Sequence, residues 1–458
     1  MIHRTLISAI ALSLGAATAG ATDLLQVWEA ARRHDPQGAI ADAARAAGAT
    51  RRDQASALWR PTVGLSGAAG RANGESRMNG AQFSAPGFPA AGVTGVSFRT
   101  SIEGGNLTRW TVGVKQPLYD AERWAQRRQL NLAADASEVE WQAAQQEWML
   151  QVVQHYFDVL LAERRLALLE GQRKAAERAY DEAQDRYKVG DAPVTDTHEA
   201  AARARALQAQ ALTAANDLEL ARIALSDSTG LPAEPLDLQP PADGFKASQP
   251  EPIAQLLTQA TQANPMLRLM QSQLDAALAE VDKHRAAVSP TVDLVAQASR
   301  ESLSGSGDFG QASNTQSQQM VGVALNVPLY TGGWRSAKHE ESLRLVDKAR
   351  AELERARLQV GQLTRSAWLA LQSGEARLSA LEQSLTASRA RLDATRVGHQ
   401  VGDRTTLDLL NAESDAAAAE LGLLQGRIDV VTNRLRLDAA TGRLDQESLL
   451  AANASLQR

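Results

Sequence analysis

Arg60-Pro61-Thr62-Val63 recurs 229 positions later as Ser289-Pro290-Thr291-Val292, and this pair of marks decides how the chain is read. Asn264-Pro265 repeats Asp35-Pro36 at the same offset. Beyond these marks the offset changes. Pro117-Leu118-Tyr119 returns as Pro328-Leu329-Tyr330 after 211 positions, and Val189-Gly190-Asp191 as Val401-Gly402-Asp403 after 212. Thr229-Gly230 and Thr441-Gly442 keep the offset of 212. The chain is therefore written twice, with 18 extra residues in the first copy between its Pro-Thr-Val and Pro-Leu-Tyr marks. A repeat on this scale is a statement about architecture, because each copy supplies one supersecondary unit to a shared fold.

Within each copy the periodicity changes twice. Leu24 to Leu58 reads as helix, ended by Pro61. From Thr62 to Gln116 the pattern alternates: Val63, Leu65, Gly67 and Ala69 share one face of a first strand, and Trp110, Val112 and Val114 one face of a second. The stretch from Gly70 to Gly105 between them, rich in Gly, Ser, Asn and Pro, reads as a long hairpin tip that holds the 18 extra residues. In the second copy Val292, Leu294, Ala296 and Ala298 alternate, followed by a Gly/Ser/Asn loop and then Val321, Val323 and Leu325. After Pro117 and Pro328 come helical runs of Ala121 to Lys188 and Trp334 to Gln400, each roughly 100 Å long at 1.5 Å per residue.

Helices of that length need coiled-coil partners. The chain returns as helix after each Val-Gly-Asp turn, to Ser228 and Ala440. Leu407, Leu410, Ser414, Ala417, Leu421, Leu424, Ile428, Val431 and Leu435 step by threes and fours as a heptad seam. Leu207, Ala211, Ala214, Leu218, Ala221 and Leu225 do the same with smaller residues. Trp141 and Trp148, seven apart, read as packing knobs. Six prolines between Leu231 and Pro252 exclude a long helix from the joint between the copies.

The expected organisation starts with a secretory signal at 1–21: Arg4, an apolar run from Leu6 to Leu14, and small residues up to Ala21, with cleavage after Ala21 preferred to Ala19. The first copy then has a helix at 22–61, a hairpin at 62–116 and a helix pair at 117–230. A Pro-rich linker covers 231–262. The second copy has a helix at 263–290, a hairpin at 291–327 and a helix pair at 328–441, before a polar tail at 442–458.

Composition narrows the function classes. The chain carries a net charge of −5 and 4% aromatics, which argues against nucleic acid as partner and for long slender helices. No cysteine is present, so disulfides, thiolate metal sites, thiol catalysis and a lipidated cysteine are excluded. No nucleophile motif, metal-ligand pair or phosphate loop appears, so no enzyme, cofactor or metal is expected. No later stretch reaches the roughly 18–20 apolar residues of a membrane helix, so a membrane crossing would have to use strands of a closed barrel. Four strands cannot close a conducting barrel, and their open edges cannot face lipid. Two chains would give eight strands, filled by side chains; three would give twelve and leave a conduit.

This order of elements resembles the TolC family of outer-membrane channels over nearly the whole chain. The resemblance is carried by Leu24-Leu25-Gln26-Val27-Trp28, Asp35-Pro36 and the Pro-Leu-Tyr marks. It extends through Tyr330-Thr331-Gly332-Gly333, Tyr187-Lys188-Val189-Gly190, Val401-Gly402-Asp403-Arg404-Thr405, and Thr441-Gly442-Arg443-Leu444 with Leu449-Leu450. It implies a mainly α, internally duplicated fold with a β-barrel part: a homotrimer whose strands form one twelve-stranded barrel in outer-membrane lipid. Its coiled-coil helices would form a periplasmic tube that opens on engagement by an adaptor and an inner-membrane efflux pump or ABC secretion transporter. The competing class, a periplasmic coiled-coil adaptor without a pore, should carry one helical hairpin flanked by compact β domains.

The same resemblance assigns sites. Asp408 matches an acidic position that rings the lumen at the closed tip. Asn411 replaces a second acidic position of the family, and Asp415 lies one turn further along the same face. Arg404 matches an arginine that links the two helical turns, with Thr195 and Asp196 as its acceptors, and His399 stands where the family has a linking tyrosine. A histidine, unlike a tyrosine, gains charge near neutral pH, so the expectation is a link to Asp196 that tightens in mild acid, with the opposite trend if the Arg404 charge lies nearer to His399 than Asp196 does. The turns Val189, Gly190, Asp191 and Val401, Gly402, Asp403 are expected to face the adaptor.

Overall fold

The computed structural model describes residues 22–81, 96–232, 236–242, 251–308 and 310–456; the expected signal, 1–21, lies outside them. The first copy consists of α1 (Leu24–His34), α2 (Pro36–Ala57), β1 (Thr62–Ala81), β2 (Val96–Tyr119), α3 (Ala121–Lys188) and α4 (Val194–Thr229). The second consists of α5 (Ile253–Ala263), α6 (Pro265–Ala286), β3 (Thr291–Gly307), β4 (Gly310–Asn326), α7 (Trp334–Gln400) and α8 (Thr406–Ala440), with α9 (Gln446–Asn453) after it. The duplication is visible in the lengths. α1 and α2 have 11 and 22 residues, as do α5 and α6; α3 and α7 have 68 and 67, α4 and α8 have 36 and 35.

The helix expected at 22–61 is in fact two, α1 and α2; the second copy has the same pair, α6 filling the helix expected at 263–290 and α5 preceding it. Asp35 and Asn264 are extended, with ψ of 124° at both. The following proline disfavours helix in the residue before it, yet suits the first turn of the next helix. α5 also begins inside the stretch assigned to the linker, because the prolines stop at Pro252 and an amphipathic run follows.

The chain divides into two compact units. One holds residues up to Ala47 with Ser137–Gln271 and Glu352–Arg458; the other holds Gly48–Ala136 and Ser272–Ala351. In the first unit, α1 buries Leu24, Val27, Trp28 and Ala31 at helical spacing, against Trp148, Val152, Tyr156 and Leu160 of α3. Trp148 sits 4.6 Å from Trp28 between ring centroids and donates its Nε1–H to Asp35 at 2.6 Å. Its ring lies so close to Gly38 that a Cβ there would come within 2.8 Å of it. Trp141 is half-buried, donating to Asp42 at 2.8 Å with the Arg45 guanidinium over its ring.

Helix α8 carries two buried stripes. Ile428, Val431 and Leu435 join the cluster around α1 and α3, with Leu424 at its margin. Leu423, Val430 and Leu437, seven apart, pack with Leu371, Leu378 and Leu385 of α7, also seven apart. The expected seam therefore continues away from α7, and the contact with α7 uses the second stripe. Leu407, expected in the seam, is 43% exposed. On α4 the expected seam holds: Leu207, Ala211, Ala214, Leu218 and Leu225 are buried.

The linker is clasped to the first unit. Tyr156 is fully buried; its hydroxyl donates to Gln239 O at 2.9 Å and accepts from Gln239 N at 2.8 Å. Burial pushes the phenol's pKa up, so it remains the neutral donor.

In the second unit β1, β2, β3 and β4 form one antiparallel sheet in that order, which leaves β1 and β4 as edges among the described residues. Register aligns Val63 with Val114, Leu65 with Val112, Ala296 with both Val114 and Val321, and Leu294 with Val323. All the alternating apolar residues read from the sequence thus share one face, and Val63, Leu65, Val321, Val323 and Leu325 are exposed on it. On the other face Lys115 pairs with Asp293 at 2.9 Å, and Arg109 with Glu301. The strands are longer than expected: β1 runs to Ala81 and β2 starts at Val96, so much of the stretch from Gly70 to Gly105 is strand rather than loop. Backbone pairing along the whole hairpin overrides the poor strand propensity of Gly, Ser and Asn. The first-copy strands have 20 and 24 residues against 17 and 17 in the second, so part of the 18-residue excess is strand, and the rest falls in 82–95, outside the described residues.

Candidate functional site

Both helical turns of the first unit are built alike. Asp191 N–H bonds to Arg186 O and Gly190 N–H to Tyr187 O; Asp403 N–H bonds to Gly398 O and Gly402 N–H to His399 O. These are paired 6→1 and 5→2 bonds that close α3 and α7 as Schellman caps. They need a left-handed residue, and Gly190 and Gly402 supply it at φ 81° and 83°. The Val-Gly-Asp recurrence is therefore a capping requirement met twice. Asp191 also receives Arg186 at 3.0 Å.

Past the second turn, Thr405 caps α8. Its hydroxyl accepts from Asp408 N–H at 3.1 Å, while Asp408 Oδ2 accepts from Thr405 N–H at 3.1 Å. This is a reciprocal capping box. The bond from the Thr405 backbone, then that from its hydroxyl, holds the Asp408 carboxyl below the usual range, with Arg404 and Arg391 adding to the effect. Asp408 is thus a fixed, ionised carboxylate at the start of α8. Asn411 is exposed one turn on. Asp415 is ion-paired with Arg391 of α7 at 2.5 Å, which neutralises it locally.

His399, Arg404 and Asp196 all line one cleft of about 390 Å³ between the two turns. They are not bonded to one another there. His399 Nε2 lies 3.2 Å from Thr406 Oγ1, so its expected link to Asp196 is not made within the protomer. Arg404 lays its aliphatic stem over Gly398, where an added Cβ would come within 2.8 Å of its Cγ. Thr195 is exposed and donates to Asp196 at 3.4 Å. The cleft also holds Glu182, Glu199 and Arg203, which the sequence reading did not single out. The Arg203 Nε is buried without a hydrogen-bond partner. Its position seven residues after Asp196, on the same side of α4, was the available signal.

The model of the outer membrane efflux protein family matches residues 27–231 and 256–443, both copies of the duplication. The chain belongs to this family. Among the family's relatives it is 28% identical to the outer membrane protein TolC of Escherichia coli (strain K12) over 447 residues, covering 96% of this chain and 86% of that protein. It is 28% identical to the alkaline protease secretion protein AprF of Pseudomonas aeruginosa, covering 75% of this chain and 72% of AprF. In structure it is similar to the CmeC outer membrane channel of Campylobacter jejuni, with a TM-score of 0.72 at 15% identity over 95% of this chain and 90% of that one. VceC of Vibrio cholerae gives 0.69 at 18% identity over 92% and 96%. This efflux-family chain is accordingly an outer-membrane channel protein.

Proposed function

We propose that three copies of this chain close their sheets into one twelve-stranded barrel, and that their helices form a duct through which cargo leaves the periplasm. The cargo is a small toxic molecule or a secreted polypeptide. A periplasmic adaptor and an inner-membrane pump or secretion transporter open the duct at the turns 189–191 and 401–403. The observation that carries this reading is the sheet itself. It has one apolar exposed face, one face of paired charges, and two edges with no partner strand among the described residues. Such a sheet is not stable in lipid until copies pair edge to edge. A pore-free adaptor has no use for an exposed apolar face of this kind.

In this reading Asp408 forms a ring of three carboxylates at the narrow end of the duct, and Asn411 and the neutralised Asp415 contribute no second charged ring. Thr195, Asp196, His399 and Arg404 act across the cleft as closing contacts between the turns. A ring of one sign favours cations and binds divalent ions. Planar-bilayer recordings of the purified protein should show cation preference and block by divalent cations, and Asp408→Asn should reduce both. Unchanged selectivity and block in that variant would remove Asp408 from the conduction path. The sign with pH follows from its lowered pKa. The charge, and the capping contribution that depends on it, are fully present above the ordinary Asp value and are lost only as pH falls through the lower folded-state value. Cation preference should therefore hold throughout the mildly acidic range.

A further inference from the structure

On the lipid-facing side of the sheet, two apolar runs stop at an arginine. Along β1, Val63, Leu65, Gly67 and Ala69 are followed at the next position of the same face by Arg71; along β3, Leu294, Ala296 and Ala298 are followed by Arg300. Neither run contains a bulge that would switch faces: β1 and β2 stay in register to Ala72, and β3 pairs without a break. Both arginines are exposed, and neither has a carboxylate partner among the described residues. The segment 82–95 contains no Asp or Glu that could supply one. The charges of the opposite face are instead paired, Arg109 with Glu301 and Lys115 with Asp293.

Higher on the same face, Arg77 and Arg99 lie opposite each other and share the single carboxylate of Glu75, at 3.1 and 2.8 Å. The upper part of this face thus carries four arginines against Glu75, with Glu103 in the neighbouring bulge and Asp308 in the β3–β4 turn. Trp110, 45% exposed, pairs directly with Arg300. An aromatic ring beside a cation at the end of an apolar run marks the level where hydrocarbon gives way to headgroups. The arginines lie toward the hairpin tips. The opposite end, at Thr62, Tyr119, Thr291 and Asn326, is where the chain passes to its helices.

We propose that Arg71 and Arg300, backed by Arg77 and Arg99, hold a phosphate-bearing lipid headgroup of the outer leaflet. This rests on the barrel reading above, which gives the apolar face to lipid and the helix-bearing end to the periplasm. Arg300 lies two strands from Gly67 in the same row, and Arg71 four residues further along. At about 4.8 Å per strand and 3.3 Å per residue, the two Cα atoms are roughly 16 Å apart. That span suits a headgroup with two separated phosphates better than one small anion. The arginine fork matches phosphate oxygens in pairs, and desolvation beside the apolar band strengthens each contact.

The test is native mass spectrometry of the full-length protein, delipidated in detergent and titrated with diphosphorylated lipid A, monophosphorylated lipid A, phosphatidylethanolamine or inorganic phosphate. Diphosphorylated lipid A should bind and survive detergent exchange, the monophosphorylated form more weakly, and phosphatidylethanolamine only as bulk detergent does. Arg71→Gln with Arg300→Gln should lower lipid A affinity about tenfold or more, since charged hydrogen bonds are lost at two positions. Arg71→Lys with Arg300→Lys, which keeps the charge without the fork, should fall between. The proposal is overturned if the glutamine variant remains a trimer and binds lipid A as the wild type does, or if inorganic phosphate at millimolar concentration displaces the lipid. A wild-type protein that is not a trimer at all would overturn the barrel reading, and this proposal with it.

Discussion

Ala296→Arg is expected to abolish assembly in the outer membrane, whereas Gln297→Arg, one residue along the same strand, is expected to leave it intact. Ala296 lies between Val114 and Val321 on the apolar face, and Gln297 between Gly113 and Met320 on the opposite face. An arginine on the lipid side of a barrel near the bilayer midplane costs about 2–4 kcal/mol. Three copies in one barrel make that roughly 6–12 kcal/mol, comparable with the whole stability of a domain. On the opposite face, the interior of the proposed barrel, the same side chain would meet water and the Arg109–Glu301 and Lys115–Asp293 pairs. The check is the yield of heat-modifiable trimers in the outer-membrane fraction. Equal yields from the two variants would contradict the assignment of faces.

Tyr156→Ala should produce the largest loss of stability in the helical unit. The ring is fully buried, meets Phe157 edge-on at 5.3 Å, and its hydroxyl holds both backbone groups of Gln239. Removing a buried aromatic of this size costs about 3–5 kcal/mol. Tyr156→Phe keeps the ring but leaves the Gln239 N–H and C=O without this partner, a cost of about 1–3 kcal/mol. Thermal unfolding followed by helical circular dichroism should rank wild type above Tyr156→Phe above Tyr156→Ala. If Tyr156→Phe matched the wild type, the clasp on the linker would carry no weight.

Much of this was legible in the chain because a duplication tests every reading twice. Proline, glycine and alternation signals that are weak singly gave the element order when they recurred at a fixed offset, and the Gly190 and Gly402 caps are an example. What stayed hidden was set by tertiary context. The extra strand length in the first hairpin was masked by Gly, Ser and Asn, whose low propensity is outweighed by a partner strand. The stripe Leu423, Val430 and Leu437 was overlooked because a second, equally regular stripe runs beside it, and a helix packed on two sides satisfies both. At the candidate site, the resemblance named Asp408, His399, Arg404 and Asp196, and the spacing Thr405-Thr406-Leu407-Asp408 is the local mark of the capping box that holds Asp408. That His399 would turn to Thr406 had no such mark. Arg203 shares a side of α4 with Asp196, seven residues earlier, but that the second turn closes over this side is a long-range placement.

The proposed duct requires the open sheets to close into a shared barrel. The direct measurement is the mass of the detergent-purified protein, by native mass spectrometry or light scattering with detergent subtracted. Three chains per particle is the predicted result. A stable monomer would leave the β1 and β4 edges unpaired in lipid, and a stable dimer would close eight strands around a filled interior; either would contradict it.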